Sequence, residues 1–407
     1  MRVRRNTVSR NKLSGIVSKK SINAKTRRRE DRKEIQGEKP LQPSRLCVED
    51  KAISHWIRPE IRELSAYHVP DARGFIKLDA MENPYHWPDD KISEWLALLR
   101  TAELNRYPDP HAQPLKDRLR EVMAVPADAA LLLGNGSDEL IQMIIMALSG
   151  EGRSVLSVEP GFVMYRMIAA FCNVDYIGVP LQEDFSLDTE AVLGAIERHQ
   201  PAVVFLAYPN NPTGNLFDRS DMLRIIEAAP GVVVVDEAYH AFADDSFMPL
   251  LNEYDNLLLM RTLSKMGLAG LRLGLLAGAP AWLNEFDKVR LPYNINILTQ
   301  ISADFALQHV AMLDVQTQQI KQERTSLFAQ MQAMTALRVF PSQANFILFR
   351  VPTGKADTVF ADLKAEGVLI KNMNKAGSLL RDCLRVTVGT AEENTAFLQA
   401  LEKIELR

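Results

Sequence analysis

The sequence predicts an α/β protein in two parts: a large domain with a mostly parallel sheet covered by helices, and a smaller α+β C-terminal domain. Three observations carry that expectation. Short apolar runs alternate with amphipathic stretches through the middle of the chain. A long helical pattern follows Pro292 and gives way to short strands, and 407 residues exceed what one hydrophobic core usually fills. Hydrophobic residues at 47% and charged residues at 24% exclude a disordered or fibrous chain. No window approaches the run of about 18 uncharged apolar residues that a membrane span needs.

In chain order, the first object is basic. Residues 1–40 hold fourteen Lys/Arg against four Asp/Glu, an excess of ten positive charges that leaves −13 for the remainder of a chain whose net charge is −3. With almost no bulky apolar residues it cannot offset its ordering entropy, so residues 1–45 are expected to be a disordered extension. It lacks the apolar segment of a secretory signal and shows no clear amphipathic period. An extension without function, from a start codon assigned too far upstream, outweighs a nucleic-acid-binding arm on composition. Residues 46–88, punctuated by Pro59, Pro70, Pro84 and Pro88, read as an irregular N-terminal arm.

Residues 89–292 read as the large domain. Its strands are "SVLSVEP", "VDYIGVP", "AVVFLAYPNNPTG", "GVVVVDEAY", "NLLLMRT" and "RLGLLAGAP", and segments such as "GSDELIQMIIMALSG", "FVMYRMIAAFC", "TEAVLGAIERHQ" and "RSDMLRIIEAA" are helix-like. Strands apolar on both faces and separated by helices indicate a parallel sheet covered on both sides. Residues 293–407 form the second domain: a long helical pattern from "ILTQISADF" to "FAQMQAM", then the strands "LRVFP", "NFILFR" and "CLRVTVG".

Three scattered cysteines and seven histidines form no metal-ligand spacing, so no metal is expected, and the cysteine usage fits a reducing, cytoplasmic setting. In open α/β sheets ligands bind at the carboxyl ends of strands. The polar residues standing there are Asn211 in "YPNNPTG", Asp236 and Tyr239 in "VVVVDEAY", and Thr262, Ser264 and Lys265 in "RTLSK", with Arg272 seven positions on. Each alone has a bland reading. Asp236 is a helix cap or a magnesium ligand, the latter lacking the phosphate loop it would need. Lys265 is a surface lysine, "GNGSDE" a helix start, and "NNPTG" a turn. Together they match what pyridoxal phosphate requires: a lysine for the aldehyde, an acid for the ring nitrogen, donors for the phenolic oxygen, and amides, hydroxyls and an arginine for the phosphate.

The ordered set "RYPD", "LGNGSDE", "YPNNPTG", "VVVVDEAY", "RTLSK…GLAGLRLG" and "CLRVTVGTAEEN" resembles the fold-type-I pyridoxal phosphate-dependent aminotransferases, most nearly their histidinol-phosphate aminotransferase branch, from about Ile57 to the C-terminus. The resemblance implies that Lys265 bonds the cofactor and later moves a proton. Asp236 would face the ring nitrogen, and Asn211 and Tyr239 the phenolic oxygen. Thr262, Ser264, Arg272 and the amides of Gly136 and Ser137 would hold the phosphate, with Phe162 stacked on the ring. Tyr107 would reach the cofactor phosphate of a neighbouring subunit, which implies a homodimer. Arg385 matches the family's carboxylate-binding arginine. Lys371 stands where relatives commonly have a second arginine, and Tyr85 in "ENPY" would line the imidazole pocket. One departure is local: many relatives place eight positions between the lysine and the phosphate arginine, so this turn must be tighter by a residue. The implied substrates are histidinol phosphate and glutamate or 2-oxoglutarate, with no membrane or nucleic-acid partner. Transamination of aromatic amino acids, decarboxylation of phosphorylated amino acids, and a cofactor-free binding protein are the alternatives.

Overall fold

The computed structural model describes residues 54–66 and 69–404, so the basic extension expected over 1–45 lies outside the described residues. The chain divides into a unit Met1–Trp56 and a unit Ile57–Arg407. All that follows concerns the second.

Its strands are β1 Ile76–Lys77, β2 Ala130–Gly134, β3 Ser154–Glu159, β4 Asp175–Pro180, β5 Val203–Ala207, β6 Val232–Asp236, β7 Leu257–Thr262 and β8 Gly274–Gly278. Past these lie β9 Arg338–Val339, β10 Phe346–Arg350, β11 Val368–Leu369, β12 Lys371–Asn372 and β13 Cys383–Thr387. The helices are α1 Pro59–Arg62, α2 Asp89–Leu99, α3 Gln113–Val122, α4 Ser137–Leu148, α5 Val163–Phe171, α6 Thr189–His199, α7 Arg219–Ala228 and α8 Pro280–Asp287. They continue as α9 Ile297–Gln308, α10 Val310–Ala333, α11 Ala356–Ala365 and α12 Ala391–Lys403.

The central sheet has seven strands in the order β2-β8-β7-β6-β5-β3-β4. The four valines of β6 show why this sheet is buried on both sides. Val233 and Val235 point into one core with Leu119, Val192 and Ile225, while Val232 and Val234 point into the opposite core with Leu140, Ile144 and Ile168. A strand's side chains alternate between faces, so an unbroken apolar run requires helices on both. Here α3, α6 and α7 supply one cover, and α4, α5 and α8 the other. Each fully buried valine contributes roughly 1.5–3 kcal/mol of transfer free energy.

Only β8 runs against its neighbours, pairing antiparallel with both β2 and β7. The connection from β7 to β8, residues 263–273, is shorter than the dozen or so residues that a parallel crossover needs. It therefore turns back at the carboxyl end of the sheet and stays there. The segment carrying Lys265 and Arg272 is held where ligands bind because it is too short to go elsewhere.

The second sheet, β12-β13-β10-β9, is antiparallel. It packs with α11 and α12 around Phe346, Phe349, Val359, Leu384, Val386 and Phe397. The entry arm joins this body: β1 pairs with β11, and the Leu78 carbonyl accepts from the Thr387 amide at 2.8 Å. The long helical pattern after Pro292 is real but breaks at His309, whose ψ of 31° interrupts the path between α9 and α10. Among the described residues no helix is long and apolar enough to cross a membrane.

Candidate active site

The carboxyl ends of β5, β6 and β7 lie side by side, with Ala207 opposite Asp236 and Asp236 opposite Met260. That register delivers the segments after the three strands to one place. Asn211 follows β5, and its amide Nδ2 donates to the Tyr239 hydroxyl at 3.1 Å. Asp236 ends β6 and is 3% exposed; its Oδ1 accepts from the Ala238 amide at 3.1 Å and its Oδ2 from the Tyr165 hydroxyl at 2.7 Å. Burial pushes its carboxyl up to about 6, against the lowering effect of those two donors.

After β7 the chain forms two short 3-10 turns, Ser264–Met266 and Ala269–Leu271, joined through Gly267 at φ 108°. A side chain at 267 would be strained at that φ, and its Cβ would stand 2.9 Å from Asn83 Nδ2. Lys265 projects from the first turn, with its Nζ 5.8 Å from the centre of the Tyr239 ring and donating to the Ala80 carbonyl at 3.2 Å. Burial, with help from the Arg385 charge, brings its ammonium down to about 8.

Gly134 at the end of β2 pairs with Gly274 at the start of β8, so the loop before α4 meets the end of the lysine turn. Gly136, the residue preceding α4, has φ 81° and lies so close to Arg272 that a Cβ there would be 2.7 Å from Nη2. Ser137 opens α4. Arg272, left-handed at φ 51°, also donates to Asp138 Oδ2 at 3.4 Å. Thr262 and Ser264 face each other, Oγ to Oγ, at 2.8 Å. Helix-start amides, two hydroxyls and a guanidinium thus converge, which is the chemistry of a phosphate site.

Arg385 is 6% exposed and lies on β13, an interior strand of the small sheet rather than an edge. Its Nη1 donates to Asn211 Oδ1 at 2.6 Å, tying the two sheets together at the site. Lys371 is directly across from it in register. Both line a cavity of about 470 Å³ together with Phe162, Asn211 and Met81. Tyr85 sits to the side, half-buried against the core of the small sheet, and is not among the residues lining that cavity. Tyr107 is 80% exposed and stacks on Tyr293 with ring centres 4.5 Å apart.

Several contributors have no signature in the sequence. Three successive backbone carbonyls of the entry arm are tied down: Asp79 accepts from Arg385 Nη2 at 3.2 Å, Ala80 from Lys265, and Met81 from Asn345 Nδ2, a residue just before β10, at 2.9 Å. Behind the site, Glu237 and Arg261 form a buried ion pair at 2.7 Å that ties the end of β6 to β7. Glu237 also accepts from the Phe247 amide and from Ser246. Tyr165 likewise reads only as an apolar helix residue.

The protein's own groups fit pyridoxal phosphate. The Gly136–Arg272 approach leaves a cradle for an anion that a side chain would fill. The buried carboxylate of Asp236 has neutral donors only, which suits a cationic ring nitrogen. Fold and site together define a fold-type-I pyridoxal phosphate enzyme. Residues 73–401 match the family model described as aminotransferase class I and II. The chain is 59% identical over 350 residues to histidinol-phosphate aminotransferase 2 of Nitrosococcus oceani, covering 86% of this chain and 97% of that protein. It is 53% identical over 358 residues to histidinol-phosphate aminotransferase 2 of Cupriavidus pinatubonensis, with coverage of 87% and 97%. Among solved structures it is similar to the histidinol-phosphate aminotransferase of Sinorhizobium meliloti in complex with pyridoxal-5'-phosphate, at TM-score 0.75 and 25% identity, over 86% of this chain and 97% of that one. The chain belongs to the class I and II aminotransferases and, within them, to the histidinol-phosphate aminotransferase family.

Proposed function

We propose that the chain transfers the amino group of L-histidinol phosphate to 2-oxoglutarate, giving imidazole-acetol phosphate and L-glutamate. One observation carries the substrate reading. Two cations on paired strands, Arg385 and Lys371, line one cavity, and the Arg385 charge also acts on Lys265, which itself stands outside that lining. One substrate presents a phosphate and the other a carboxylate, and a guanidinium fork accepts either.

When bound, pyridoxal phosphate supplies an electron sink for the pair left at the substrate Cα. The chain's residues do the rest. Lys265, kept partly neutral by its burial, would hold the cofactor's aldehyde end and serve as the base that moves the proton at Cα. Asp236 would keep the ring nitrogen protonated, and Phe162 would cover the ring face. Asn211 and Tyr239, already bonded to each other, donate toward the phenolic oxygen. Gly136, Ser137, Thr262, Ser264 and Arg272 would hold the phosphate. Tyr85, on the entry arm, would border the imidazole end from outside the cavity lining. Tyr107, solvent-facing in one subunit, completes the phosphate site of a second copy, so the working form is a homodimer, in the cytoplasm. The large and small domains divide near residue 292.

The test is a coupled assay of purified protein with histidinol phosphate and 2-oxoglutarate, reading glutamate. Turnover should exceed that with phenylalanine by orders of magnitude, with no release of carbon dioxide from phosphorylated amino acids. Lys265→Ala should abolish glutamate formation while leaving the far-ultraviolet circular dichroism unchanged. Full activity in that variant would overturn the mechanism.

A further inference from the structure

Among the described residues, Asp236 receives a hydrogen bond from one side chain, Tyr165, which belongs to none of the groups assigned above. We propose that Tyr165 is a positioning residue for the reaction: its phenolic O–H holds the Asp236 carboxylate ionised and aimed, and thereby sets how firmly the bound cofactor keeps its ring proton. This rests on the reading that Asp236 faces the ring nitrogen.

The geometry is specific. The Tyr165 hydroxyl lies 2.7 Å from Asp236 Oδ2, and the residue is 1% exposed. Its ring stacks on Phe205 of β5, centres 4.7 Å apart and planes 13° from parallel, so neither ring nor hydroxyl can swing away. The same ring meets Phe162 edge-on at 5.5 Å. Phe162 caps α5 and Tyr165 sits in its first turn, so one helix start delivers both the residue at the cofactor's face and the donor to its acid. Phenylalanine would fill the slot equally well. The hydroxyl therefore answers to its acceptor, not to packing.

Direction of donation is fixed. Burial and the adjacent Asp236 charge hold the Tyr165 phenol well above its ordinary range, so it keeps its proton and donates. The other ionisable groups acting on Asp236 are Asp138, Glu237 and Tyr239, of which the two acids oppose its ionisation. Tyr165 and the Ala238 amide are the counterweights. A hydrogen bond to a charged acceptor is stronger than one between neutral groups.

The experiment compares holoenzyme of wild type, Tyr165→Phe and Asp236→Asn. Three quantities are read: the pH titration of the bound cofactor's visible absorbance, the dissociation constant for pyridoxal phosphate, and kcat and KM separately. Tyr165→Phe keeps the ring and its stacking. It should move the absorbance midpoint by about one pH unit in the same direction as Asp236→Asn. It should also weaken cofactor binding about tenfold, equivalent to ~1.4 kcal/mol, and lower kcat with little change in the KM for 2-oxoglutarate. A purely structural role would lower thermal stability and leave the midpoint where it was. If Asp236→Asn moves the titration and Tyr165→Phe does not, the proposal is overturned while the role of Asp236 stands. If neither moves it, both fall.

Discussion

Asp236→Asn should strengthen the cofactor-stripped protein while disabling the loaded enzyme. The carboxyl is buried at the end of β6, with the Tyr165 hydroxyl and the Ala238 amide as its donors among the described residues, and its pKa rises from 3.8 to about 6. A folded pKa above the unfolded one means that the native state binds the proton more tightly. The stability this group contributes is therefore fully present below pH ~4 and lost as pH rises through about 6. The rise corresponds to ~3 kcal/mol between the two limits. Asparagine carries no charge and can still accept from Tyr165, but its Nδ2 needs an acceptor, so a net gain of about 1–3 kcal/mol is expected at pH 7.5. Urea unfolding of both apoproteins at pH 4.5 and 7.5 measures it. The gap between them should be small at pH 4.5 and widen at pH 7.5 in favour of the variant. Saturating pyridoxal phosphate should reverse the order, because the ring's cation pairs with aspartate and not with asparagine. A variant less stable than wild type at pH 7.5, or a gap that ignores pH, would refute the placement of this cost on Asp236.

Attachment of the cofactor requires a neutral amine, and Lys265 loses its proton near pH 8. The association rate of pyridoxal phosphate with the apoprotein should therefore climb with pH, half-maximal near that value, in stopped-flow absorbance. Gly136→Ala places a methyl 2.7 Å from Arg272 Nη2 at a positive φ. It should weaken cofactor binding roughly tenfold or more, with activity recovering when pyridoxal phosphate is supplied in excess. Glu237→Gln leaves Arg261 buried without its carboxylate and should cost about 3–5 kcal/mol in urea unfolding. Combining it with Arg261→Met should recover part of that loss.

How much of this was legible follows from what each residue's signal is. Asp236, Asn211 and Lys265 declare themselves as polar residues closely following apolar runs, because the carboxyl ends of such strands are where an open α/β sheet binds ligands. The covering helices and three strands of the small sheet, β9, β10 and β13, were readable from apolar runs and periodicity; the antiparallel pairing and β12 were not. The reversal of β8 was not, since an apolar run looks the same in either direction; only the shortness of residues 263–273 bears on it. Arg385 could be named by its motif, yet its burial on an interior strand depends on β12, a two-residue strand too short to show a pattern.

What stayed hidden shares a physical cause. Tyr165 sits within an apolar helix stretch, where an aromatic is ordinary core, and its acceptor lies 71 residues away. Arg261 looks like one more charge after four apolar residues until Glu237 is found against it. The carbonyls of residues 79–81 are backbone, and any sequence would supply them. Side chains that touch the cofactor are constrained by chemistry to a few residue types. The groups that aim those side chains need only a hydrogen-bonding atom at the right distance, and a backbone carbonyl or a buried phenol serves as well as any other. Chemistry is therefore written in residue type, whereas positioning is written in fold, and the Tyr165–Asp236 contact belongs wholly to the second.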